Sequence, residues 1–383
     1  MQKPILTTHT GSLPLPPGNE RLRELHKRRQ HGSQLDMTEF ADLADAAVDE
    51  IVDFQLRIGI DIVSNGEADR VNFRDTDRLS GFNGPETTAL VPQDLVDAGM
   101  FGGFSAAAAG SMPRVNDGPV KHIPDAVGTE LDRLLSALKH HNVDSSRTFM
   151  TVPSPGLIVS QETSFYDSDE EFLAAIISAL REECLMIASA GVGVQIDAPD
   201  LAMDWFVWHH GQTRDEFTAR ALRHIDAINE VTEGITETRV HVCNGNWPGP
   251  HSRDAELKDI LEIVYGALRP CTLLLELENP RHRHEAALFA QEQYRLPEHL
   301  RLGAGVVDCC SMNVGHWRTV ADSLVRVALA AGPGAVTLAT PDCGYKTFLL
   351  QEGSLYITEA HLQNLVRGTR AANDELAALE FGQ

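Results

Sequence analysis

Basic residues are scarce in this chain: 32 Lys and Arg stand against 55 Asp and Glu, a formal charge of -23. That imbalance excludes nucleic acid and anionic membranes as general partners, since the net field repels both. Long apolar runs are missing too. No stretch approaches the roughly 18 residues of a membrane span, and the opening "MQKPILTTHTGS" has neither the charged start nor the apolar core of a signal peptide. A cytoplasmic protein is expected. The six cysteines show no regular spacing, which excludes a disulfide framework and leaves thiols for metal binding, chemistry or packing. Neither a GxGxxG turn nor a P-loop follows the first strand-like run, and no repeat or linker divides the chain.

What is present is alternation. Eight β-like runs end in polar or glycine-containing residues: "ILTTHTGS" (5–12), "DIVSNGE" (61–67), "TFMTVPSPG" (148–156), "VGVQIDAPD" (192–200), "RVHVCNGN" (239–246), "TLLLELEN" (272–279), "LGAGVVD" (302–308) and "AVTLATPDCG" (335–344). Helical spacing separates them. Phe40, Leu43, Ala47, Ile51, Phe54 and Ile58 fall on one helix face before Gly59. Ser168 and Glu171 read as a capping box opening a helix that buries Phe172, Ile176, Leu180, Cys184 and Ile187. Eight such units predict an α/β fold, a single-domain (β/α)₈ TIM barrel over residues 1–383, rather than an open doubly wound sheet. Residues 71–125, with "GGFSAAAAGS" at their centre, are too long for a connection and predict an excursion over the barrel mouth after strand 2.

In a barrel the strand ends converge on the functional face. His241 and Cys243 lie two apart near the end of the fifth run, so pleating sends them to one side. The sixth run offers Glu276 and Glu278 and the eighth offers Cys343. Nitrogen, sulfur and carboxylate donors of this kind suit tetrahedral zinc. Two thiolates leave such an ion a mild Lewis acid, better suited to activating a substrate thiol than to making hydroxide from water.

The motifs "TTHTGSLP", "NGEADR", "SPG", "QIDAPD", "HVCNGN", "ENPRHRHE", "GVVD" and "PDCG" resemble, in order and approximate spacing, the catalytic barrel of the cobalamin-independent methionine synthase family, and above all its short single-barrel members. The resemblance implies zinc as cofactor, with His241, Cys243, Glu276 and Cys343 as its ligands. The adjoining "NPRH" selects Glu276 over Glu278, and alternation is expected to put both on one face. The resemblance also implies that Thr10 and Ser12 hold the homocysteine carboxylate while Glu67 and Asp197 take its ammonium, an arrangement that suits a zwitterion. Glu67 has an alternative partner in Arg70, and Asp197 could instead orient a ligand.

The chain also departs from the pattern. Cys310 stands two residues past the aspartate of "GVVD", where long relatives carry a histidine thought to protonate the departing folate. A thiol donates protons poorly at neutral pH, so His316 is the other expected acid. Cys309 and Cys310 read equally well as packed thiols. Leu15 removes a cation common near the mouth in relatives, which weakens the case for a polyglutamate tail. Arg281, His282, Arg283 and His284 read either as a solvated helix start or as a clamp for a carboxylate or sulfonate. The expected function is therefore zinc-dependent methyl transfer to homocysteine from methyltetrahydrofolate or a related donor. The alternative enzyme is a thiol alkyltransferase acting on another pair, such as an epoxyalkane and coenzyme M; a noncatalytic thiol- or metal-binding barrel is the remaining reading. The expected partners are a small-molecule thiol and an alkyl donor, with the oligomeric state left open.

Overall fold

The computed structural model describes residues 3–30, 35–70, 77–84, 94, 97, 99, 114–205, 212–247, 250–345 and 355–381. Most of the expected excursion, including 102–111, lies outside them.

Seven parallel strands form one curled sheet: β1 (Leu6–Thr7), β2 (Phe149–Pro153), β3 (Gly193–Asp197), β4 (Thr238–Val242), β5 (Cys271–Glu276), β6 (Leu300–Val307) and β7 (Val336–Pro341). Their order, β1-β7-β6-β5-β4-β3-β2, makes sequence neighbours spatial neighbours from β2 to β7, with β1 beside β7. This is the TIM-barrel-like arrangement that eight alternations lead one to expect, but with seven strands. The second expected strand, 61–67, is reduced to a single bridging residue, Val63, opposite Thr148. Its segment still lies between the sheet edges: Asp61 and Ile62 donate to Thr7 O at 3.2 and 3.1 Å, and Val63 donates to Arg147 O at 3.0 Å. Beyond it Gly66 and Glu67 are both left-handed, at φ 61° and 54°, so the chain cannot run on as strand to residue 67.

Helices cover the outside. In chain order they are α1 (Glu20–Gln30), α2 (Met37–Ile58), α3 (Pro124–His140), α4 (Pro155–Val159), α5 (Asp169–Ser189), α6 (Asp200–Met203), α7 (Arg214–Val231), α8 (Leu257–Ala267), α9 (Trp317–Ala331) and α10 (Leu355–Phe381). Helix α2 starts on Asp36, whose carboxylate accepts from Thr38 N and Glu39 N, and ends on left-handed Gly59. Its inner face carries Phe40, Ala47, Ile51 and Phe54 as the spacing predicts, with Leu43 and Ile58 only half-buried. Ser168 caps α5 by accepting from Glu171 N, and Cys184 is core. The reciprocal capping box occurs at α7, between Thr213 and Glu216. No helix among the described residues is long and apolar enough to cross a membrane.

Candidate metal centre

Strand register sets the stage. His241 lies beside Asp197 of β3 and Leu274 of β5, facing the barrel interior, and Cys243 comes just past the end of β4. Cys343 sits two residues past the end of β7. The ligand atoms of His241, Cys243 and Cys343 all fall within 4.8 Å of one another, and all three residues are buried. The two sulfurs are 3.8 Å apart and every described cysteine is free.

Loop chemistry holds this approach. Asn246 Nδ2 donates to Gly344 O at 2.6 Å, tying the loop after β4 to the loop after β7. Gly245 is left-handed at φ 87°, and a Cβ there would meet the Trp247 ring at 2.3 Å. Gly344 has its own reason: a Cβ would lie 2.3 Å from Ser12 Oγ, while Tyr345 N donates to Ser12 O. Ser12 is thereby brought to the same mouth. Asp342 accepts the backbone N–H groups of Leu277, Glu278 and Asn279 at 3.0, 3.2 and 2.8 Å, fixing the chain beyond β5.

That fixation separates the two glutamates. Glu276 ends β5, is buried, and accepts from Asn244 N at 3.2 Å. Glu278 instead faces Arg283 and Arg326 at 3.7 and 3.8 Å. The expected shared face is a misreading, because β5 ends at Glu276 and the Asp342 clamp bends residues 277–279 out of strand alternation. Glu276 neighbours the three-residue group, near enough to feel the Cys243 charge, but is not gathered into it.

The electrostatics of the group are those of buried anions short of a cation. The Cys243 thiol is drawn well below its ordinary range by the Cys343 hydrogen bond and by His241. Its thiolate then pushes Cys343, also buried, well above. Burial opposes the His241 imidazolium, yet Cys243, Asp197 and Asp342 raise it. Burial lifts Glu276 well above the carboxylate range, helped by Cys243. Asp197 and Asp342 are pushed up to about 7, again chiefly by burial. The ring nitrogens of His241 make no hydrogen bond to oxygen or nitrogen, and the ring interacts instead with the Cys243 sulfur. A buried imidazole gathered with two sulfurs fits a divalent ion, which would ligate the nitrogen and neutralise the thiolates.

The residues expected around a substrate's amino and carboxylate groups also converge. Asp197 ends β3, and its Oδ1 accepts from Gln195 Nε2 at 2.8 Å; the same amide reaches Thr10 O at 2.9 Å. Thr10 Oγ1 is buried without a hydrogen bond. Glu67 Oε1 accepts from Thr151 Oγ1 at 3.0 Å, and Gly11 is needed there, since a Cβ would fall 2.6 Å from that oxygen. Arg70 donates through Nε to Glu130 at 2.7 Å and through Nη1 to Thr151 at 2.6 Å, so Thr151 links it to Glu67.

The two expected acids part company. Cys310 is half-buried with its sulfur 3.1 Å from Asn246 O, on the mouth loop. His316 is exposed and caps α9, its Nδ1 accepting from Arg318 N at 3.2 Å while the ring packs near Trp317. That histidine serves as a helix N-cap, and among the described residues no hydrogen bond is seen joining it to the group. Arg281 is neither a free clamp nor a solvated helix start: Asp254 accepts from it at 2.6 Å and lies 3.0 Å from both His282 and His251. Sequence reading missed Thr151, Gln195, Asn246, Asp254 and Asp342, although Gln195, Asn246 and Asp342 stand inside the quoted motifs.

The chain is 25% identical over 386 aligned positions to a 5-methyltetrahydropteroyltriglutamate–homocysteine methyltransferase of Aeromonas salmonicida, an alignment covering 98% of this chain and 44% of that protein. A protein of the same description from a Synechococcus strain is 27% identical, with 97% and 44% covered. The chain thus spans less than half the length of these curated relatives. No protein-family profile matches it. In fold it is similar to a B12-independent methionine synthase of Shewanella sp. W3-18-1, solved with selenomethionine, at a TM-score of 0.70 and 18% identity over 98% of this chain and 100% of that one. Taken across its length, the chain is a distant homologue of the cobalamin-independent methionine synthases.

Proposed function

We propose that the protein is a zinc-dependent S-methyltransferase that moves a methyl group from methyltetrahydrofolate or a related donor to homocysteine, giving methionine. The observation that carries this reading is the buried approach of His241, Cys243 and Cys343 in a mouth that also presents Glu67 and Asp197. Those three residues would hold the zinc, with Glu276 as the candidate fourth donor. When bound, the ion supplies a Lewis acid that favours the thiolate form of an incoming thiol. The remaining work falls to the chain. Glu67, held by Thr151, and Asp197, held by Gln195, offer carboxylates to a substrate ammonium. The backbone around Thr10 and Gly11, with Ser12, offers neutral donors to its carboxylate. Burial of this wall excludes water and keeps donor and acceptor aligned for displacement at the methyl carbon. Cys310 is the thiol available on the donor side of the mouth. The eighth strand of the expected barrel would be the 61–67 segment, whose Val63 bridges to Thr148.

A clamp for a sulfonate thiol has less support, because Asp254 already engages Arg281. The test is turnover by zinc-loaded protein. Homocysteine with methyltetrahydrofolate or a methylcorrinoid should yield methionine, and coenzyme M with an epoxide should not react. Thiol consumption only in the second mixture would overturn the assignment.

A further inference from the structure

A second cluster of metal-ligating side chains lies outside the barrel. Asp49 sits on α2, and His140 and His141 sit at the end of α3. One Asp49 oxygen, Oδ1, is 2.8 Å from His140 Nδ1 and 3.2 Å from His141 Nε2, and the three ligand atoms lie within 4.8 Å of one another. Successive residues of a helix do not ordinarily face one point. Here the helix ends between them: His141 is the C-cap, and Asn142 is left-handed at φ 56°. Arg133 already joins the same two helices through Asp45 at 2.7 Å.

Three features favour a cation. His141 Nε2 is buried and makes no hydrogen bond although Asp49 Oδ1 lies 3.2 Å away, so the two approach without being bonded to each other. A cation between them would give both atoms a ligand contact in place of the missing bond. The C-terminal carbonyls of α3 put partial negative charge at the same place. Finally, zinc bonds of roughly 2.0–2.2 Å set tetrahedral ligands roughly 3.4 Å apart; Asp49 and His141 are nearly so spaced at 3.2 Å, and His140, now 2.8 Å from the same oxygen, would move apart from it on binding.

We propose that Asp49, His140 and His141 form an exposed binding site for a first-row divalent cation, zinc being the probe of choice, independent of the cysteine group. A cation there ties the end of α3 to α2, leaving solvent to complete its shell. Full-length protein stripped by chelator and dialysed against low-micromolar zinc should carry one more zinc per chain than the His140→Ala/His141→Ala variant. That difference is expected whatever the barrel mouth binds. Asp49→Asn, which keeps side-chain shape, should lose the same equivalent and guards against a folding defect in the double variant. Equal zinc content in all three proteins would overturn the site and leave the three side chains as a proton-bridged surface cluster.

Discussion

Two buried glutamates in this molecule meet opposite fates. Glu130, on α3, has Arg70 and Arg78 around it at 2.6 and 3.6 Å, and Arg78 continues to Glu183 at 2.6 Å. Burial disfavours its charge, but the two guanidinium groups win and hold it below the ordinary carboxylate range. Glu276, similarly buried, is pushed well above that range by burial first and then by the Cys243 thiolate, against the pull of His282 and Arg281. The contrast separates a finished ion network from an unfinished one: Glu130 has a guanidinium at 2.6 Å, whereas the cations nearest Glu276, Arg281 at 4.0 Å and His282 at 3.9 Å, are engaged by Asp254 and do not offset its burial.

Breaking the finished network should have the largest effect on folding. Glu130→Ala removes the carboxylate opposite two buried guanidinium groups and should cost about 3–5 kcal/mol in urea unfolding, with no change in zinc bound by the cysteine group. A loss of that zinc would show that the two regions are not separate.

A third kind of buried group sharpens the contrast. His9 donates from Nε2 to Gln55 at 2.8 Å and accepts from Gly11 N at 3.2 Å, a neutral tautomer satisfied on both sides. Burial lowers its pKa from 6.5 to about 4. Because the folded value lies below the unfolded one, its contribution is complete above pH 6.5 and is lost as pH falls towards 4. The loss should approach about 3 kcal/mol in wild type and be absent from the His9→Asn profile, by denaturant titration at several pH values. Parallel profiles for the two proteins would refute it.

Asn246→Ala tests the unfinished side more gently. It removes the bond that ties the two cysteine loops together, and zinc affinity should fall by about 10- to 100-fold while both sulfurs remain. Unchanged affinity would mean that the sheet alone holds Cys243 and Cys343 together.

Much of this is legible in the residues. Strand ends, the cysteine pair at β4 and β7 and the core face of α2 follow from periodicity, which is local. The lost second strand does not, because its length depends on the left-handed pair Gly66–Glu67. The split between Glu276 and Glu278 is hidden for a different reason: the Asp342 clamp that bends the chain lies some 65 residues away in sequence. His316 is another case: near "GVVD" it reads as an acid, and its place as a helix N-cap shows only once the helix is seen starting behind it. The Arg70–Glu130–Arg78–Glu183 network carries no spacing signal at all.

The most direct test is X-ray absorption at the zinc edge on protein carrying a single zinc per chain. Two sulfur donors beside nitrogen or oxygen are predicted, from Cys243, Cys343 and His241. A coordination shell of nitrogen and oxygen alone would contradict a thiolate-held metal in the barrel mouth.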